Sequence, residues 1–306
     1  MNTRHARMIL TIIREKSFTA AAKALSITQP TLSQTVRQIE TQLGEPIFVR
    51  GHASVQLTPA GELYVEAARR IIQAETQLSE AISRLHGRAE GTLRIGLFYH
   101  RSQELLPQVM PDFYAVYPGI TVEVCEADTA HLEQMLLRGE IDVALISGET
   151  HHPKIEYRQI ASEEIVLLAG KKTALAQRIP SGSTIGLREA VNEHFILPVE
   201  TLAWRKYFDE LLASCNIKPN SVMVCDSIGA AMRTCSSCSF VMLSPFISLL
   251  CDSGSMQRLS HYHLGTDAYL PPFYMAYSRE TPLAPHGEML FSLLSSRFRA
   301  MTAYRA

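Results

Sequence analysis

A chain of 306 residues with 46% apolar and 19% charged side chains and a mean hydropathy near zero is neither disordered nor membrane-spanning in composition, and it is too long for one ordinary core. Its net charge of −1 excludes a uniformly basic surface, yet the charge is divided. The first 58 residues hold seven Lys/Arg against three acids, and residues 88–306 hold nineteen against twenty-three, so a phosphate-bearing partner is expected at one end only.

The apolar run at residues 8–13 is short and is followed by Arg14, Glu15 and Lys16, which is no secretion signal. No other run approaches bilayer length, so a cytoplasmic protein without membrane contact is expected. Met8, Ile9, Ile12 and Ile13 mark one face of a first helix. Ser17 and Thr19 offer capping oxygens for a short second helix over 20–25. Thr28-Gln29-Pro30 opens a third, in which Leu32, Val36, Ile39 and Leu43 recur at helical spacing and are expected in the core. Gly44 and Pro46 end it. Residues 47–50 and 55–57 then predict a small β-hairpin, or wing. Thr58-Pro59 starts a fourth helix reaching about residue 85, with apolar residues at 67, 71, 74, 78, 81 and 85. Steps of four and three form a heptad seam, which predicts pairing with a second copy.

From residue 92 the pattern alternates strands and helices. Strands are expected at 93–98, 120–125, 141–147, 155–160, 165–169, 195–197, 222–225 and 240–243, and helices at 104–117, 132–138, 204–214 and 228–234. This predicts an α/β body with mostly parallel sheets, divided at this length into two lobes.

Two short helices joined by a brief turn, the second polar on one side, make a helix-turn-helix whose second helix enters the major groove of double-stranded DNA. Burying Leu32, Val36 and Ile39 leaves Gln29, Pro30, Thr31, Ser33, Gln34 and Arg37 on the outer face. Gln suits adenine and Arg suits guanine, while Ser and Thr reach bases or phosphate. Arg50 in the wing is placed for the DNA backbone.

The chain closely resembles the LysR-type transcriptional regulators. The residues carrying the resemblance are Ser17-Phe18-Thr19-Ala20-Ala21-Ala22, Leu25, Gln29-Pro30-Thr31-Leu32-Ser33, Ile39-Glu40, Leu43-Gly44, Ile47-Phe48, Arg50 and Leu57-Thr58-Pro59-Ala60-Gly61. Further on, Leu93-Arg94-Ile95-Gly96, Tyr117-Pro118-Gly119 and Gly139-Glu140-Ile141-Asp142-Val143-Ala144 extend it over nearly the whole chain. The resemblance implies a winged helix-turn-helix domain at 1–58, a dimerising linker helix at 59–87 and an effector-binding domain at 88–306. The last resembles type 2 periplasmic binding proteins, with lobe 1 at 92–161 and 267–306 and lobe 2 at 162–266. It also implies an interrupted inverted repeat in DNA, a homodimer or homotetramer, a small-molecule effector and contact with RNA polymerase. Two places depart from the family: Ala53 stands where a basic wing residue is frequent, with His52 beside it, and the turn at residues 233–239 is rebuilt.

In parallel α/β lobes, ligands sit beyond strand C-termini, beside helix N-termini. With the family's two lobes facing each other, the strand ends converge on one cleft. His100, Arg101, Ser102, Thr129, Ser147, Thr201, Ser227 and Phe246 are then the candidate effector contacts. Ser102 and Thr129 would offer hydroxyls to a small, anionic organic ligand, or serve as plain helix caps. Arg101 reads either as an anion clamp or as a solvated loop residue. The rival reading is a thiol redox sensor using Cys235 and Cys238, although structural thiols are the expectation for all six cysteines. No enzymatic motif is present, His151-His152 and His261-Tyr262-His263 could bind a metal only if carboxylates converged on them, and neither metal nor cofactor is expected.

Overall fold

The computed structural model describes residues 2–49, 55–85, 90–148, 152–200, 203–219, 222–265 and 270–302. The chain divides into two compact units. One holds Met1–Thr92 with Gly119–Thr121 and Gln134–Ile141, and the other holds the remainder.

In the first unit, α1 (Thr3–Glu15), α2 (Phe18–Ala24) and α3 (Gln29–Leu43) each begin at a polar cap. The side chains of Asn2, Ser17 and Thr28 accept from the N–H three residues on, which satisfies a donor the helix cannot. Ile9, Ile12, Ala21, Leu32, Val36 and Ile39 close the core. Leu43, expected inside, is 45% exposed, because α3 ends there and Gly44 turns away in the left-handed region at φ 80°. The two arms of the predicted wing meet where Phe48 pairs antiparallel with Leu57. Glu40 of α3 holds the first arm by accepting from the N–H groups of Ile47 and Phe48. The wing tip, with Arg50, His52 and Ala53, lies outside the described residues.

Thr58 caps α4 (Pro59–Leu85) by accepting from the Gly61 N–H at 2.9 Å. A Cβ at Gly61 would run into the Ile47 carbonyl, so this turn requires glycine. The first half of α4 is no free-standing linker, since Tyr64, Val65 and Ala68 complete the head core and Glu75 pairs with Arg7 at 2.7 Å. The opposite stripe stays open: Ala67 and Ala74 are exposed, Ile71 is half-buried and Leu78 is 62% exposed.

The second unit carries two five-stranded sheets. One runs β2 (Ile120–Glu126), β1 (Gly91–Leu97), β3 (Val143–Ser147), β10 (Pro272–Ser278), β4 (Ile155–Ser162). The other runs β7 (Val222–Cys225), β6 (His194–Pro198), β8 (Phe240–Pro245), β5 (Ile165–Gly170), β9 (Leu259–His263). Around them lie α5 (Tyr99–Val116), α6 (Thr129–Leu137) and α12 (Pro285–Thr302) in the first lobe. The second lobe has α7 (Ala174–Arg178), α8 (Ala203–Ser214), α9 (Ile228–Ser237), α10 (Phe246–Cys251) and α11 (Ser253–Arg258).

The sheets are mixed rather than mostly parallel. β10 runs antiparallel to β3 and β4, and β5 antiparallel to β8 and β9. Each of these is the strand by which the chain enters one lobe from the other, so no βαβ connection sets its direction. β5 is buried along its whole length, with Ile165, Leu167 and Ala169 in one core and Val166 and Leu168 in another. The two crossings touch: the Glu163 N–H donates to the Pro271 carbonyl at 2.8 Å.

Candidate functional site

In the head, α3 buries Leu32, Val36 and Ile39 and turns Gln29, Pro30, Thr31, Gln34 and Arg37 outward, with Ser33 half-buried. Gln29 donates to the Ser33 hydroxyl at 3.0 Å, and the Thr28 and Thr31 hydroxyls lie 2.8 Å apart. These bonds link neighbouring side chains at the exposed start of α3. Helix geometry alone produces this face, since residues three and four apart share a side.

The second unit contains a cavity of about 270 Å³, lined by Phe98, His100, Arg101, Ala127–Ala130, Leu132, Leu145–Ser147 and Trp204. It opens at the N-termini of α5 and α6, beside the C-terminal end of β3. The segment 99–102, expected as a loop, is the first turn of α5. Phe98 supplies no capping side chain, so the usual signal of a helix start is missing. Asp128 caps α6 by accepting from the His131 N–H at 2.9 Å, and that bond holds its carboxyl below the usual range. Thr129 is therefore not the cap, and it faces the cavity.

His100 is 7% exposed, and neither ring nitrogen has a hydrogen-bond partner. Burial, with the Arg101 charge second, holds its pKa well below 6.5, so the ring is neutral. Arg101 lines the cavity but is not a solvated loop residue, and two glutamates hold it. It is 2% exposed, its Nη2 donates to Glu163 at 2.6 Å and its Nη1 to Glu104 at 3.1 Å. Its guanidinium also lies 5.3 Å from the Phe273 ring centroid and 6.0 Å from that of Trp204. Desolvation raises the pKa of both glutamates, against the pull of Arg101.

Ser147 lines the cavity and donates to Glu163 at 3.0 Å. Glu164 faces the other lobe and pairs with His263 at 2.8 Å. Three of the remaining candidates do not line the cavity. The Ser102 hydroxyl donates to Glu126, Ser227 caps α9 through the Ala230 N–H, and Phe246 packs on His261 and His263, each ring centroid 5.4 Å away. Thr201 lies outside the described residues. Trp204, Phe98 and Glu163 were missed in sequence. An aromatic at a helix start and a pair of acids before an apolar run carry no signal of a cavity.

Among the described residues no group of His, Cys, Asp and Glu could hold a metal, and no helix is long and apolar enough to cross a membrane. Cys235 is fully buried, its thiol donates to the Phe240 carbonyl at 3.1 Å, and burial pushes its pKa up to about 12. A buried thiol held protonated is a poor nucleophile. Under native conditions, iodoacetamide is expected to alkylate Cys238, which is exposed, and to spare Cys235. Peptide mass mapping checks this, and a Cys235–Cys238 disulfide after mild peroxide would contradict it.

Comparison with known proteins places both units. A profile of the bacterial regulatory helix-turn-helix protein, lysR family, matches residues 3–62, and one of the LysR substrate binding domain matches 86–299. The Hca operon transcriptional activator HcaR of Escherichia coli is 29% identical over 76% of this chain and 78% of its own. Full-length OxyR of Pseudomonas aeruginosa superposes with a TM-score of 0.74 at 21% identity, covering 96% of this chain and 94% of that one. Full-length CbnR complexed with its target DNA gives 0.63 at 21% identity, covering 97% and 99%.

Proposed function

The chain belongs to the LysR family of helix-turn-helix transcription regulators, and from that premise we propose how its two units divide the work. The head, residues 1–58, binds an interrupted inverted repeat in double-stranded DNA through the outward face of α3, with Arg50 on the backbone. The linker, 59–87, joins two copies along the open stripe of α4, giving a dimer or tetramer. Residues 88–306 take a small anionic organic effector into the cavity at the α5 and α6 N-termini, where His100, Thr129 and Ser147 supply polar contacts. The protein acts in the cytoplasm, regulates rather than catalyses, and passes its signal to RNA polymerase.

The observation that carries this reading is the polar face of α3 standing outside a closed apolar core. Arg37→Ala or Gln29→Ala is expected to weaken operator binding by roughly 1–3 kcal/mol and to alter base preference. Arg50→Ala is expected to weaken all sequences alike and to flatten the salt dependence. Fluorescence anisotropy on operator and scrambled duplexes checks both. Unchanged affinity in the Arg37 and Gln29 variants would remove α3 from the groove.

An effector regulates only if it prefers one arrangement of the protein. The uncapped end of α5 presents main-chain N–H donors and the positive pole of an 18-residue helix, which favours an acceptor or anionic group.

A further inference from the structure

We infer that the effector carries a hydroxyl beside its acidic group, a small hydroxy acid, and that His100 is the residue that reads this hydroxyl. The inference rests on the cavity being the effector site.

His100 is more than nine-tenths buried, lines the cavity, and pairs neither nitrogen within the protein. A neutral imidazole has one N–H to donate and one bare nitrogen that must accept. A carboxylate offers only acceptors. It satisfies the N–H and leaves the bare nitrogen buried and unpaired, at a cost. A hydroxyl donates to that nitrogen. The acidic group accepts from the imidazole N–H and from the main-chain N–H groups of Tyr99 and His100, which stand in the first turn of α5 and have no carbonyl one turn back. The charge of Arg101 is already matched by Glu163 and Glu104, which hold its two Nη atoms. The walls, Phe98, Leu132, Leu145, Ile146 and Trp204, suit a hydrocarbon body. At about 270 Å³ the space lies at the small end for ligand pockets.

The test uses the full chain and two pairs of acids that differ by a hydroxyl, benzoate against salicylate and propionate against lactate. Calorimetry and thermal shift are run on the wild type, His100→Phe and His100→Asn. In at least one pair, the hydroxylated acid is expected to bind the wild type roughly tenfold more tightly. The gap closes in His100→Phe and returns in part in His100→Asn, which keeps a donor and an acceptor. If His100→Phe fails to fold, His100→Asn carries the comparison through a reduced gap. Equal binding within both pairs, or a gap that survives in His100→Phe, overturns the role of His100 and leaves the effector site standing. If no acid binds the wild type, the anionic-effector reading falls, and this inference with it.

Discussion

Arg101→Met is expected to destabilise the second unit by about 3–5 kcal/mol, because it leaves Glu104 and Glu163 buried without their cation. Side chains exposed by only 2% for Arg101, 11% for Glu104 and 1% for Glu163 gain little from water. In a domain of this size the loss lowers the melting temperature by roughly 10 °C. The sign of its pH dependence follows from the carboxylates. Both have folded pKa values raised above the usual 4.5 by burial, and removing Arg101 raises them further. A group with a raised folded pKa favours folding most when protonated, so the deficit is largest at neutral pH and shrinks as pH falls toward 4.5. The triple variant Arg101→Met, Glu104→Gln, Glu163→Gln is expected to recover most of the loss, since replacing a whole buried ion cluster costs far less than breaking it. Urea melts at several pH values check the series. An Arg101→Met protein as stable as wild type would show that the three charges do not depend on one another.

Placing Glu at both Ile71 and Leu78 is expected to abolish dimerisation, since like charges would then meet across the seam of two α4 helices. Leu78 is exposed and Ile71 half-buried, and neither belongs to the buried head core, so the head should still melt cooperatively. Operator affinity is expected to fall by two orders of magnitude or more, because avidity commonly contributes about 10²–10⁴ when two half-sites are held together. Sedimentation velocity and anisotropy read the two effects separately. A variant that remained dimeric would place the association outside α4.

What was legible in the sequence followed from local physics. Ser17, Thr28 and Thr58 each announce a helix through a side-chain oxygen, and each makes that cap. The apolar stripe on α4 was visible because its steps of four and three persist from residue 67 to residue 85. The start of α5 was not, because Phe98 offers no cap. Nor was the direction of β5, since a strand buried on both faces is an unbroken apolar run that looks the same read either way; β10, only partly buried, was not anticipated as a strand. Arg101 was misjudged because its partners are remote: Glu163 lies 62 positions away, and only tertiary structure brings it into contact. The cavity was half legible, with His100, Thr129 and Ser147 found by their place at strand ends, while Trp204 arrives from the other lobe.

The crossing between lobes has a parity. Glu163 and Glu164 are adjacent and point to opposite sides, the first gripping Arg101 and Ser147 and the second His263. Successive side chains of an extended segment alternate in direction, so the two carboxylates keep their separate partners only while the count of residues between β4 and β5 is unchanged. Deleting one would present a single acid to both lobes and hand its neighbour an apolar environment. This two-residue joint is therefore fixed in length, unlike an ordinary surface loop.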